Sequence, residues 1–374
     1  MIPFNKPFLS GKEIDYILDA ASSGQLAGDG KYTQLCQKIL TSYVGSKTTL
    51  LTHSCTAALE MCALLGEFNP GDEVIMPSFT FVSTANAFCL RGLVPVFVDI
   101  REDTLNLNEQ LIEDAINEKT KAIVAVHYAG VSCEMNYLVD LCKRKNLLLI
   151  EDAAQSLGSK YENKPLGSFG DLSTLSFHET KNIISGEGGA LLINNDSFTK
   201  SAEIIREKGT DRKSFSRGEK SKYTWQSLGS SYLPGELIAA FLYAQLKKIK
   251  EITHEKLIIW NNYFNGLTEL EDKGIARLPV IPSNCIHNGH LFYILLENER
   301  VRNSLIENLR ENQIHSVFHY VPLHSSPAGI KMTKTHGKLE VTESCSSRLL
   351  RLPSWIGMNA TYNIIDKLLY FLTK

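Results

Sequence analysis

Between about residues 48 and 195, short apolar runs alternate with stretches of helical periodicity, and this alternation constrains the fold more than any other feature. The strand candidates are TTLLT (48–52), DEVIMP (72–77), VPVFVD (94–99), KAIVAVH (121–127), LLLIED (147–152), STLSFH (173–178) and GALLINN (189–195). Several are almost continuously apolar, as strands covered on both faces must be. Between them, CTAALEMCALLGE, VSTANAFCLRG and EMNYLVDLCKRKN carry helical patterns, two of them ending in a glycine or asparagine stop. The expected class is α/β, a mostly parallel sheet with helices on both faces.

After residue 235 the rhythm changes. ELIAAFLYAQLKKIKEITHEKLIIWNNYFNGL reads as one long amphipathic helix without proline, RLPVIPSNCIHNGH as turns, and HLFYILL (290–296) as a strand. Helical patterns follow at RNSLIENLREN, at TESCSSRLLRL and at the C-terminus. The chain of 374 residues is therefore expected to divide into an N-terminal arm and large domain over 1–245 and a small α+β domain over 246–374. A net charge of -2, with no local Lys/Arg block, gives no footprint for nucleic acid. No run approaches the ~18–20 apolar residues of a membrane span. The N-terminus lacks a basic start followed by an apolar run. Eight cysteines without a C-x-x-C pair, most in apolar segments, read as reduced core thiols. The expected setting is cytoplasmic, with neither membrane nor nucleic acid as partner.

Four elements suggest chemistry when taken together. Lys181, in SFHETKNIISGEGGALL, follows a buried strand and precedes a glycine-rich turn; alone it would be a surface residue. Asp152 closes LLLIED, where parallel sheets place ligands, and its neighbour Glu151 suits a structural role. Ser54, Cys55 and Thr56 open an apolar helix, where free amides, a hydroxyl and the helix dipole favour a phosphate, although an ordinary cap has the same appearance. Phe81, in PSFTFVSTANA, brings a flat ring to the same sheet edge, or else is core. In this order a phosphate cradle, a stacking ring, a carboxylate for a pyridinium nitrogen and an amine form the set that pyridoxal 5'-phosphate (PLP) requires.

These residues resemble the DegT/StrS family of sugar aminotransferases, PLP-dependent enzymes of fold type I (aspartate aminotransferase-like). GDEVIMPSFTFVSTANA, AVHYAG, IEDAAQS, SFHETKN, GEGGALL, REKGTDR, FHYVPLH and RLP carry the resemblance over essentially the whole chain. It implies that Lys181 holds the cofactor covalently and shuttles protons, and that Asp152 pairs with the ring nitrogen. It also implies that Gln155 bonds the ring hydroxyl, Ser176, Cys55 and Thr56 contact the phosphate, and Phe81 stacks on the ring. In the family a segment of the partner subunit closes the phosphate site, which implies a homodimer with a shared active site. Here that segment is LGSSYLPGEL, with Ser231 and Leu233 in place of the more usual Asn and Arg or Asn. GDGKYT, FHETKN, HYAGVSCEM and REKGT look most similar to enzymes that aminate dTDP-4-keto-6-deoxy-D-glucose with L-glutamate. The implied product is dTDP-4-amino-4,6-dideoxy-D-galactose, for surface polysaccharides such as enterobacterial common antigen. The gluco epimer, a sugar dehydratase and a non-catalytic regulator of the same fold are the alternatives. Keeping Lys181, where the family's dehydratases carry histidine, favours amino transfer.

The ten histidines divide by context. His178 belongs either to the cofactor pocket or to packing. His319, Tyr320 and His324, in VFHYVPLH, approach the nucleotide-sugar by resemblance, or form a plain polar turn. His127 and Tyr128 end a strand and are candidates for the sugar pocket. No spacing suits a metal.

Overall fold

The computed structural model describes residues 1–374. Helices α1 (Glu13–Ser22) and α2 (Lys31–Val44) precede β1 (Thr48–Thr52). Then come α3 (Cys55–Leu65), β2 (Glu73–Pro77), α4 (Val82–Cys89), β3 (Val94–Val98) and β4 (Thr120–Val126). α5 (Met135–Lys145), β5 (Leu148–Asp152), β6 (Leu172–Ser176) and β7 (Gly189–Ile193) complete this half. Every strand expected between 48 and 195 forms, with its ends moved by at most a residue or two.

These strands, with a two-residue strand Lys334–Thr335 at one edge, make an eight-stranded sheet in the order β1-β7-β6-β5-β4-β2-β3-(334–335). Only β7 runs against the others, pairing antiparallel with β1 and β6. Successive residues of one strand serve opposite faces. Val74 and Met76 of β2 pack with α3 and α4, while Ile75 packs with Leu138 and Leu141 of α5. This two-sided burial is why the strands read as continuous apolar runs. Asn146, left-handed at φ 52°, ends α5 as the stop signal implied.

The second half contains α6 (Thr199–Arg206), α7 (Glu236–Lys247), α8 (Ile249–Asp272), β8 (Phe292–Leu295) and α9 (Glu299–Glu311). α10 (Glu340–Arg348), β9 (Leu349–Leu352) and α11 (Thr361–Leu372) end the chain. A separate core gathers α8, β8, α9, β9 and α11 around Trp260, Tyr263, Phe292 and Leu350.

Two expectations are corrected. The long helix is two, broken at Lys248 (φ −111°, ψ 13°), because α7 packs on α1 and α2 while α8 packs on α11. No proline or glycine marks that break. The LLRL end of TESCSSRLLRL is not helix: β9 pairs with β8, Leu352 opposite Phe292, and tertiary pairing overrides leucine's helical preference.

The N-terminal arm crosses the molecule. Ile2 bridges Ile314, the Trp355 indole donates to the Pro3 carbonyl (3.0 Å), and the Asn5 amide donates to the Glu179 carbonyl (3.1 Å).

Candidate active site

The carboxyl ends of β1, β2, β4, β5 and β6 open on one cavity of about 790 Å³. Parallel sheets concentrate loop ends and helix N-termini on this side. Ser54, Cys55, Thr56, Phe81, Asp152, Gln155, Ser176, His178, Lys181, His319 and Tyr320 all line it. Of the sequence candidates, only His324, His127 and Tyr128 do not line it.

Ser54 is the N-cap of α3, its hydroxyl accepting from the Ala57 amide (3.1 Å). The Cys55 and Thr56 amides have no acceptor in the protein and face the cavity, with the Thr56 hydroxyl bonded to Ser83 (2.8 Å). A helix start that leaves its first two amides free in this way is an anion cradle. Gly189 permits it: a Cβ there would lie 2.4 Å from the Cys55 nitrogen, so only glycine lets β7 pass so close.

Asp152 is buried at the end of β5, and its Oδ2 accepts from the Thr84 hydroxyl (2.7 Å), itself bonded to Thr80 (2.9 Å). Glu151, one residue earlier, points the other way. It accepts from the amides of Gly167 (2.8 Å), Phe169 (2.7 Å) and Gly170 (2.7 Å) and from His127 Nε2 (3.0 Å). Burial alone would raise its pKa, but the bonds from His127, Gly170 and Gly167 outweigh burial and hold it below the ordinary glutamate value. The structural role expected for Glu151 is a clamp on the loop after β5.

Lys181 sits in a tight turn closed by its own amide on the His178 carbonyl (2.9 Å), and its amine faces the cavity without a hydrogen-bond partner. Burial pushes its pKa below the usual lysine value and Arg351 pushes the same way; Cys55 and Asp152 oppose them. The Cys55 thiol is pushed up to about 12 by burial and by Asp152, so it stays neutral. His178 is half exposed at the mouth, its Nδ1 held by Thr180 (2.9 Å) and its Nε2 3.7 Å from Glu187.

On the opposite flank, Gln155 accepts from the Ala129 amide (2.8 Å) and donates to the Tyr320 hydroxyl (2.8 Å). Tyr320 has φ 41°, rare for a residue with a side chain, and stacks on His319 at 3.6 Å between centroids. The His319 imidazole is pushed well below its usual pKa by burial, then by Arg351 and Lys181, and so is neutral.

Three candidates fall elsewhere. His324 is held outside the cavity by Ser78 (2.8 Å) and Glu343 (2.8 Å). His127 is fully buried against Glu151, and Tyr128 lies behind His319, bonded to its Nδ1 (2.8 Å), so neither reaches the cavity. The LGSSYLPGEL segment does not line this chain's own cavity either, and Ser231 is exposed.

Sequence reasoning missed two basic residues in the cavity. Arg351 forms no ion pair; its Nε and Nη2 donate only to the Phe318 carbonyl (3.2 and 3.0 Å), and its guanidinium lies 4.8 Å from the Phe4 ring. His290 is buried beside it, its pKa lowered by burial and then by Lys181, Lys256 and Arg351. RLP held the signal for Arg351; His290 opens a strand pattern and had none.

The family model for DegT/DnrJ/EryC1/StrS aminotransferases matches residues 8–368. This chain belongs to that family. It is 31% identical over 365 residues to the GDP-perosamine synthase of Vibrio cholerae, covering 96% of this chain and 95% of that one. The spore coat polysaccharide biosynthesis protein SpsC of Bacillus subtilis is 30% identical, covering 87% and 85%. Among solved structures, Helicobacter pylori PseC, an aminotransferase of pseudaminic acid biosynthesis, superposes with TM-score 0.91 at 28% identity over 100% of this chain and 99% of that one. The PLP form of the sugar aminotransferase Spr1654 from Streptococcus pneumoniae gives 0.90 at 25% identity, covering 100% and 98%. The chain is therefore a sugar aminotransferase of PLP fold type I, with pyridoxal 5'-phosphate as its cofactor. The unpaired Lys181 amine, the free α3 amides and buried Asp152 around one cavity suit that group.

Proposed function

We propose that this aminotransferase transfers the amino group of L-glutamate to C4 of dTDP-4-keto-6-deoxy-D-glucose, giving dTDP-4-amino-4,6-dideoxy-D-galactose for a surface polysaccharide. The observation that carries the transfer is the convergence of Lys181, Asp152 and the α3 N-terminus on one cavity. In this reading Lys181 holds the cofactor, Asp152 faces its ring nitrogen and Gln155 its ring hydroxyl. Ser54, Cys55, Thr56 and Ser176 hold its phosphate, and Phe81 covers the ring. When bound, PLP supplies the electron sink and carries the amino group between donor and acceptor.

The Lys181 amine removes the α-proton of glutamate and, in the second half-reaction, delivers a proton to C4 of the sugar. Its lowered pKa keeps more of it in the basic form near neutrality. Arg351, cationic and without a carboxylate of its own, supports an anionic donor such as glutamate. In this reading His319, Tyr320 and His178 meet the sugar nucleotide.

The division into 1–245 and 246–374 goes with this reading: the first part carries the cofactor groups and the second brings His290, His319, Tyr320 and Arg351 over them. So does a homodimer, in which LGSSYLPGEL reaches the partner's phosphate site. The enzyme would work in the cytoplasm.

A second reading, a GDP-linked sugar as acceptor, is favoured by the GDP-perosamine synthase relatives. Incubation with glutamate and dTDP-4-keto-6-deoxyglucose, in parallel with a GDP-linked 4-keto sugar, tests both. NMR couplings of the product distinguish galacto from gluco configuration. An unreacted dTDP sugar beside a converted GDP sugar overturns the first reading. Lys181→Ala is expected to lose both the visible absorbance of the lysine-bound cofactor and turnover; retained turnover overturns the role of Lys181.

A further inference from the structure

Asn288 lies far from the motifs in sequence, in the turn-rich stretch before β8, and is only 2% exposed. Its side chain spends both amide protons on the large sheet's loops, Nδ2 donating to the carbonyls of Gln155 (2.9 Å) and Leu157 (3.0 Å). Its Oδ1 accepts from the His290 amide (3.0 Å). Its backbone carbonyl accepts from Asn182 Nδ2 (2.9 Å), in the residue next to Lys181, while Asn182 Oδ1 lies 3.3 Å from His290 Nδ1.

One residue is thus bonded to the segment carrying Gln155, to the neighbour of Lys181 and to the strand start carrying His290. Two glycines fit around it. A Cβ on Gly130 (φ 80°) would lie 2.2 Å from Asn288 Oδ1, and a Cβ on Gly289 (φ 62°) would lie 2.9 Å from the Lys256 backbone in α8. The Asn288 amide therefore lies close against the loop after β4 at Gly130, while the next residue, Gly289, lies close against α8.

We propose that Asn288 is a positioning residue that sets the Lys181 amine against the Gln155 side chain, and so against the ring hydroxyl of the cofactor. It touches neither cofactor nor substrate; it acts through Asn182 and through the Gln155 backbone. Proton abstraction depends on placement of the lysine to within a fraction of an ångström, and a shift far from the chemistry is felt at the reacting atoms. The inference rests on the reading of Lys181 as the cofactor anchor.

The test uses the full chain loaded with PLP and reads the pH midpoint of its visible absorbance, which reports the proton held between the Lys181 nitrogen and the ring hydroxyl. Asn288→Ala is expected to move that midpoint by about half a unit or more, since the partners of the charged form change. It should also lower kcat about tenfold or more while the KM for glutamate stays within about twofold. Asn182→Ala removes the link to the Lys181 turn and the contact with His290 Nδ1, and leaves the bonds from Asn288 to Gln155 and Leu157 intact, so it serves even if Asn288→Ala fails to fold. A smaller shift of the midpoint in the same variant series is expected from it. Folded variants with the wild-type midpoint and kcat overturn the proposal, including variants that merely melt earlier. A wild type with no visible absorbance after PLP loading removes the Lys181 reading itself; a coloured wild type with unmoved variants removes this inference alone.

Discussion

Glu151 and Asp152 are adjacent on β5, yet the pleat sends one into the protein and the other into the cavity. Removing the charge of Glu151 leaves three backbone amides with a weaker acceptor. Glu151→Gln should therefore cost about 2–4 kcal/mol, read by urea denaturation. The sign with pH follows from its lowered pKa. The stabilisation is full above the ordinary glutamate value and is lost as pH falls through the lower folded value, so wild type should lose stability in acid over that window and Glu151→Gln should lose less. For Lys181 the sign is opposite in origin. Arg351 pushes its pKa down, so Arg351→Leu should raise the pH at which the apoprotein captures PLP. A midpoint that stays or falls would contradict the electrostatic coupling.

At the scale of elements, the phosphate cradle depends on β7 passing close under the start of α3. Gly189→Ala must push that helix start away, at a cost of about 1–3 kcal/mol. PLP should then bind more weakly by about tenfold or more, measured by equilibrium dialysis, because displaced amides no longer converge on the phosphate. This dependence was only half legible. The strands could be read because burial on both faces writes itself as continuous apolar runs, and Lys181, Asp152 and Ser54 lie at the ends of those runs. Other features left no local trace. The break at Lys248 and the strand β9 are decided by which neighbours each segment packs on, and helical periodicity does not record neighbours. Arg351 and His290 reach the cavity only because β8 and β9 fold over it. His324 shows the converse: its motif was informative, but a bond to Ser78 and an ion pair with Glu343 hold its ring outside.

On the whole molecule, no helix is long and apolar enough to cross a membrane. Yet Ile14 and Leu18, one turn apart on α1, are 62% and 60% exposed, and Leu26, Leu237 and Ile238 are exposed close by where α7 begins. The Leu26 carbonyl accepts from the Glu236 amide (3.0 Å), so these side chains share one region of the surface. An apolar patch of this kind suits a second copy of the chain. If the proposed homodimer uses this patch, Ile14→Asp with Leu18→Asp should give a monomer in sedimentation where the wild type is a dimer, and weaken PLP retention; a dimeric variant would place the contact elsewhere, and a monomeric wild type would overturn the dimer itself. The lone antiparallel strand also has a consequence for how the enzyme comes into being. β7 pairs Ile193 with Thr48, so nearly 150 residues separate partners that must meet before Gly189 can lie beneath α3. A chain emerging from the ribosome has made the helix start long before the strand that seats it. Cofactor capture is therefore a late event in biogenesis, and a nascent chain halted before residue 189 should emerge unable to hold PLP.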